Sequence, residues 1–89
     1  MMMMSTRAQW PHSIEDVYKS LDGIWGLVGA TGTNGNLYRL ERSLKEPVNY
    51  TVTEYNGNDE SEVIKKATYT AQQREEAVKD FARSLGFAV

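Results

Sequence analysis

Three glycines stand three residues apart in the stretch LVGATGTNGNLYRL, residues 27–40, directly after a short apolar run. Because glycine lets backbone amides approach a phosphate closely, the spacing of Gly29, Gly32 and Gly35 could serve an anion site. The same glycines could instead only turn the chain, since Asn34-Gly35 is a strong signal for a tight turn. We expect that they turn the chain.

No other residues assemble a recognisable catalytic set. His12 is the only histidine and lies beside a proline, and the sequence places no serine or cysteine next to it. Oxygen-bearing side chains alternate at Asn56, Asn58, Glu60 and Glu62, but they lack the acidic opening position and the bidentate glutamate of an EF-hand loop. We therefore expect a protein that is not an enzyme, with no catalytic residue, no metal site and no cofactor.

Length and charge bound the function further. The chain has 89 residues, enough for one domain with one modest core. Ten basic and twelve acidic residues give a formal charge of -2, which supplies no overall attraction to nucleic acid or anionic lipid. The sequence has no cysteine, no apolar run long enough to cross a membrane and no signal-peptide pattern. We expect a cytoplasmic protein that does not associate with membranes.

Two helices are predicted from capping signals and apolar spacing. The first covers residues 13–21 and is opened by a serine N-cap. The second covers residues 70–85 and ends before Gly86, which suits a left-handed C-cap. Residues 1–12 have no period and are predicted to form a flexible N-terminal arm, which leaves residues 13–89 as a single α+β domain.

Three strands are predicted from alternation and β propensity. Residues 48–55 (VNYTVTEY) alternate apolar and polar side chains and give the clearest signal. Residues 24–28 form a short apolar run bounded by glycines. Residues 62–69 are predicted to form a further strand with Val63, Ala67 and Tyr69 on one side. Residues 62–67 alone would also suit a helix, but we favour the strand because a capped helix starts directly after it.

The segment after Gly35 allows two interpretations. As a hairpin, residues 36–45 return as a strand after the Asn-Gly turn. As a helix, the same residues place Leu37, Leu40 and Leu44 at helical spacing, with a proline as terminator soon after. The lack of β-branched residues favours the helix, and the turn chemistry favours the hairpin, to which we give a slight preference.

If this segment is a helix, LVGATGTNGNL resembles the glycine-rich strand-to-helix turn of the extended short-chain dehydrogenase group. Glu54 then stands about where that group has its ribose carboxylate. The resemblance implies a nucleotide-binding enzyme fragment. It covers some thirty residues, and nothing after Tyr55 supplies further β-α-β units.

With the same helix, GATG (residues 29–32) resembles the GxxG loop of KH domains, which clamps the backbone of single-stranded nucleic acid. The predicted order of elements then matches a KH domain, although Ala30 and Thr31 stand where that family usually has basic residues. The resemblance implies a nucleic-acid-binding surface. Its residues would be Gly29, Gly32, Arg39, Arg42, Lys45, Lys65 and Lys66.

The architecture that we expect is α+β, with a small antiparallel sheet of three or four strands packed on the C-terminal helix and a short N-terminal helix. Such a sheet leaves one face and one edge free for a partner. The leading hypothesis is a small interaction or regulatory protein, such as a phage-encoded or inhibitory accessory factor, that binds a partner protein through this face or edge. A homodimer through a sheet edge is a further option. The predicted binding residues are Trp25, Tyr38, Arg39, Arg42 and Tyr55.

Overall fold

The computed structural model describes residues 10–89, which fold as the predicted α+β arrangement. The strands form one antiparallel sheet in the order β1-β2-β3-β4, so each strand pairs with its neighbours in the chain. Both helices pack on one face of this sheet. The elements are α1 (Ile14–Leu21), β1 (Leu27–Thr31), β2 (Leu37–Arg42), β3 (Asn49–Asn56), β4 (Asp59–Thr70), a 3-10 turn (Ala71–Gln73) and α2 (Arg74–Ser84).

The predicted N-terminal arm lies mostly outside the described residues, which begin at position 10. In the described part, the Trp10 indole N–H donates to Ser20 Oγ over 2.7 Å. The backbone N–H of His12 donates to the Asp16 carboxylate over 2.9 Å. Residues 10–12 therefore lie against α1.

Both helices have the caps that the sequence predicts. The Ser13 side chain accepts from the backbone N–H of the third helical residue at the start of α1. At the end of α2, Gly86 has a φ of +89°. The N–H of Phe87 donates to Ala82 O over 3.0 Å, which closes a Schellman motif. Helix prediction succeeds here because caps and apolar period agree.

The core lies between the two helices and the inner face of the sheet, the face that carries Val28, Leu40 and Val52. These three residues lie opposite one another on adjacent strands and are buried. Phe81 of α2 is the largest side chain that is fully buried. No residue of β4 belongs to the buried cluster. Its members are Val17, Leu21, Val28, Leu40, Tyr50, Val52, Ala77, Val78 and Phe81.

The glycine stretch forms a hairpin turn between β1 and β2, so the hairpin prediction is confirmed and the helix is wrong. Gly35 has a φ of +88°, and the N–H of Gly32 donates to Asn36 O over 2.8 Å. The N–H of Thr33 donates to Ser84 O over 3.1 Å, which holds the turn on the C-terminal end of α2. Both the dehydrogenase and the KH resemblance need a helix after the glycines, and residues 37–42 form β2 instead.

Alanine at Gly32 is expected to lower the free energy of unfolding by about 2 kcal/mol, because an added methyl overpacks the hairpin turn. A Cβ there would lie 2.4 Å from Tyr38 Cε1 and 2.7 Å from Ser84 O. Gly29→Ala is the matched control, since its Cβ would have only an ordinary 3.4 Å contact with Tyr38 O. Urea denaturation of both variants measures the difference, and equal losses would contradict this account of the turn.

The strand predicted over residues 24–28 is displaced, since β1 is Leu27–Thr31. Gly26 has a φ of +59°, which interrupts extended backbone before β1 begins. Gly29 lies within the edge strand β1, and a Cβ added there would have only an ordinary contact with Tyr38 O. Residues 22–26 therefore form the loop that connects α1 to β1.

The prediction that Val63 and Tyr69 lie on the same side of β4 is wrong, because β4 contains a bulge. The register of β3 against β4 shifts at Tyr55, which lies opposite Val63 on the outer face of the sheet, the face away from the core. Tyr69 lies opposite Tyr50 and packs against the core on the inner face. Val63 and Tyr69 therefore face opposite ways, because Ile64 is an extra residue that alternation from the sequence does not reveal.

Candidate functional site

The predicted binding residues lie in three places. Arg39 of β2 and Tyr55 of β3 lie on the outer face of the sheet, where Arg39 is opposite Thr53 and Tyr55 is opposite Leu37. Trp25 and Arg42 lie at the end of the sheet where β1 begins and β2 ends. Tyr38 faces the core. The structure therefore does not assemble the predicted set into one site.

An open groove of about 470 Å³ crosses the outer face. Trp10, Gly29, Arg39 and Tyr55 are among its lining residues. The Arg39 guanidinium lies 5.1 Å from the centroid of the Tyr55 ring and also donates to the Tyr55 hydroxyl. Arg39 Nε is buried without a hydrogen-bond partner, and the Glu41 carboxylate lies 3.5 Å from it as an ion pair. Arg39 is thus already engaged by its neighbours on the sheet.

Tyr38 has a structural role at the hairpin turn. Its hydroxyl accepts from Asn34 Nδ2 over 2.9 Å. Burial and the neighbouring Glu54 carboxylate raise the pKa of Tyr38. The same carboxylate accepts from Asn36 Nδ2 over 2.8 Å, and this bond lowers the pKa of Glu54. These side chains join the turn to β3, so Tyr38 is not presented to a partner.

Arg42 anchors the loop between α1 and β1. Its Nη1 donates to Leu21 O over 2.7 Å, and its Nη2 donates to Gly23 O over 3.1 Å. Its backbone N–H donates to Gly26 O over 2.8 Å. A cation at the C-terminus of α1 also interacts favourably with the helix dipole. Arg42 therefore fixes the conformation of the loop that carries Trp25.

The anchored loop presents large apolar side chains to solvent. Ile24 is 87% exposed, Trp25 is 81% exposed, and Leu44, which follows β2 at the same end of the sheet, is 88% exposed. Leu27, the first residue of β1, is 42% exposed. We call Ile24, Trp25, Leu27 and Leu44 the Trp25 patch. Sequence reasoning selected Trp25 but missed Ile24 and Leu44, although their glycine and charged neighbours are typical of exposed loops.

A concave surface lies at the same end of the sheet as the Trp25 patch. It is an open groove of about 660 Å³ between residues 46–49 and residues 68–72. Pro47, Val48 and Tyr69 contribute apolar side chains to its lining. This end of the sheet therefore carries both protruding apolar side chains and an open groove with apolar side chains in its lining.

The basic residues of the predicted nucleic-acid surface do not converge. Arg39 and Lys66 lie on either side of Thr53 in one outer-face row, which places them about 10 Å apart across two strand spacings. Lys65 lies opposite Glu54 in the adjacent row, where alternation points to the other face. The remaining residues of the set lie elsewhere: Gly29 in the outer groove, Gly32 in the hairpin turn, Arg42 against α1 and Lys45 in the loop after β2.

Comparison of the chain with protein families, with curated proteins and with solved structures finds no match. Function is therefore inferred from the geometry of these surfaces. Within residues 10–89, no helix is long and apolar enough to span a membrane.

Proposed function

We propose that this chain is a small non-enzymatic interaction protein that binds a partner protein through the Trp25 patch. The observation that carries the proposal is the exposure of Ile24, Trp25 and Leu44, each more than four-fifths exposed at one end of the sheet. Clustered exposed apolar side chains mark surfaces at which proteins associate. The core of the same domain buries Leu21, Leu40 and Phe81 completely, whereas the side chains of the patch, which are of similar size, are left in solvent.

The anchored loop supports high affinity from few contacts. The Arg42 side chain holds the carbonyls of Leu21 and Gly23, and its backbone N–H holds the carbonyl of Gly26 beyond Trp25, so the loop backbone has little conformational freedom to lose when a partner buries Trp25. Tryptophan is among the residues that most often dominate binding energy. The partner that fits this surface has an apolar pocket for the indole and a backbone or side-chain acceptor for its N–H.

A regulatory or inhibitory role in the cytoplasm is the setting that we propose for this binding. Among residues 10–89, no acid, base and nucleophile are assembled beside the patch, and the guanidinium of Arg42 is already bonded to carbonyl oxygens. Binding itself is then the activity. A protein partner also suits a chain with a formal charge of -2 better than a polyanion does.

Trp25→Ala tests the proposal. A partner is first identified by capture on the immobilised chain, then purified, and its affinity is measured by calorimetry. We expect Trp25→Ala to weaken binding by about 30-fold, the size of a 2 kcal/mol hot spot. Because Trp25 is exposed, circular dichroism should show an unchanged fold and melting temperature.

Val89→Ala is the matched control. Val89 is also an exposed apolar residue, but it lies after the C-terminal end of α2 and outside the Trp25 patch. This variant should bind like the unaltered chain. Equal affinity of Trp25→Ala and Val89→Ala for the partner would reject the Trp25 patch. Absence of any captured protein would reject the interaction itself.

Single-stranded nucleic acid is the alternative partner, and fluorescence anisotropy with short RNA and DNA oligonucleotides tests it. A protein-binding module should show no binding at low salt. Binding that falls steeply with added salt and is lost in Arg39→Ala and Lys66→Ala would replace our proposal with a nucleic-acid site on the outer face.

A further inference from the structure

The outer edge of β4 is a long strand edge without a partner in the described part of the chain. β4 has twelve residues and lies last in the sheet, so only β3 pairs with it. Residues 59–66 are all exposed. They include Val63 at 52% exposure and Ile64 at 48%. An edge of this length is a template for pairing with another strand.

The bulge gives this edge an unusual arrangement of charge. Lys65 lies opposite Glu54, and Glu62 Oε1 accepts from Asn56 Nδ2 over 2.7 Å. Glu54 and Asn56 are two residues apart on β3, so they share one face of the sheet. Glu62 and Lys65 therefore lie on that same face as well. In a regular strand, residues three apart would face opposite sides, and the extra residue Ile64 removes this mismatch. A second register shift, between Tyr55 and Asn56, leaves residues 60–62 without a register partner on β3.

The geometry points to a homodimer in which two copies of β4 pair antiparallel about a two-fold axis between Val63 and Ile64. In this register, Glu62 of each copy lies opposite Lys65 of the second copy, and the pair occurs twice. Val63 of each copy lies opposite Ile64 of the second copy, which covers both half-exposed side chains. Opposite-charge and apolar cross-strand pairs both stabilise antiparallel strands.

The charges on β4 also select the second copy over other strands. None of the ion pairs within residues 10–89 includes Glu62 or Lys65. Within its own sheet, Glu62 bonds to the neutral amide of Asn56, and Lys65 lies opposite Glu54. Charges and bulges on an edge discourage pairing with an arbitrary strand. A second β4 instead matches them, because the acidic half of the strand precedes Val63 and its basic half follows Ile64.

The dimer is independent of the Trp25 patch. The loop that carries Trp25 leads into β1, and the strand order places β1 and β4 at opposite edges of the sheet. A homodimer through β4 therefore leaves the patch open on each copy. Failure of one proposal leaves the other intact, since Trp25→Ala should not alter the mass of the protein in solution.

Charge reversal tests the register by light scattering coupled to size exclusion. The unaltered chain should approach twice its mass of 10.1 kDa as concentration rises. Glu62→Lys and Lys65→Glu should each weaken self-association by about tenfold or more, because each places like charges opposite each other twice. An equimolar mixture of these two variants should recover the dimer, since positions 62 and 65 then carry opposite charges across both pairs.

The matched control is Glu76→Lys, which makes the same charge change on an exposed position of α2. It should leave the dimer intact. A mass of one chain at a protein concentration of about 1 mM would overturn the dimer. A dissociation constant of that size corresponds to a binding free energy of only about -4 kcal/mol. A dimer that both reversals leave unchanged, or that mixing fails to restore in the correctly folded variants, would overturn the β4 register.

Discussion

Replacing Phe81 with alanine is expected to lower the free energy of unfolding by about 4 kcal/mol. Phe81 is fully buried in α2, which packs against β2, β3 and α1. Removing the ring leaves a cavity between α2 and the inner face of the sheet, and the surrounding backbone relaxes only partially to fill it. A small domain has only about 5–15 kcal/mol of total stability, so this variant is expected to be partly unfolded near body temperature.

Urea denaturation followed by far-UV circular dichroism measures the loss. Phe87→Ala is the matched control, because Phe87 packs on the margin of the core and is only half-buried. We expect the control to lose about 1 kcal/mol. Similar losses for the two variants would mean that Phe81 is not the centre of the core.

Arg42→Ala is expected to lower the free energy of unfolding by about 2–3 kcal/mol. The substitution removes two charged hydrogen bonds and leaves the carbonyls of Leu21 and Gly23 without these donors. It also removes the guanidinium that packs against Gly26. The loop that carries Trp25 should then gain freedom, so partner binding should weaken even under conditions in which the variant is folded.

Two controls separate charge from geometry at Arg42. Arg39→Ala removes the same type of side chain from a half-exposed position on the outer face, where its ion pair with Glu41 contributes little, and should cost about 1 kcal/mol or less. Arg42→Lys retains the charge without the planar fork that reaches two carbonyls, and should lie between the unaltered chain and Arg42→Ala. Equal costs for Arg42→Ala and Arg39→Ala in urea denaturation would contradict the anchoring role.

Sequence patterns predicted the parts of the fold that depend on local chemistry. The serine cap of α1, the Gly86 cap of α2 and the alternation over residues 48–55 all have counterparts in the structure within about one residue. The Asn34-Gly35 turn was more informative than the helical spacing of the leucines after it. A turn that requires a positive φ leaves the chain little choice, whereas a leucine spacing fits a strand as readily once its neighbours cover it.

Long-range contacts account for the features that the sequence did not reveal. Arg42 was predicted to bind a partner, but it bonds to carbonyls of Leu21 and Gly23, about twenty residues earlier in the chain. The basic residues were spaced for a shared surface only if residues 36–45 formed a helix. The bulge at Ile64 exists only in the pairing of β4 with β3. None of these features has a local signal, because each depends on which distant segment comes to lie alongside.

The Trp25 patch is tested most directly by nuclear magnetic resonance of the two tryptophan side chains. The chain contains only Trp10 and Trp25, so the indole N–H region has two signals, which Trp25→Ala assigns. On titration with the partner protein, the signal of Trp25 should shift or broaden. The signal of Trp10 should shift less than that of Trp25, because Trp10 lines the outer-face groove and does not belong to the Trp25 patch. A partner that binds while the Trp25 signal is unchanged would contradict the proposed function.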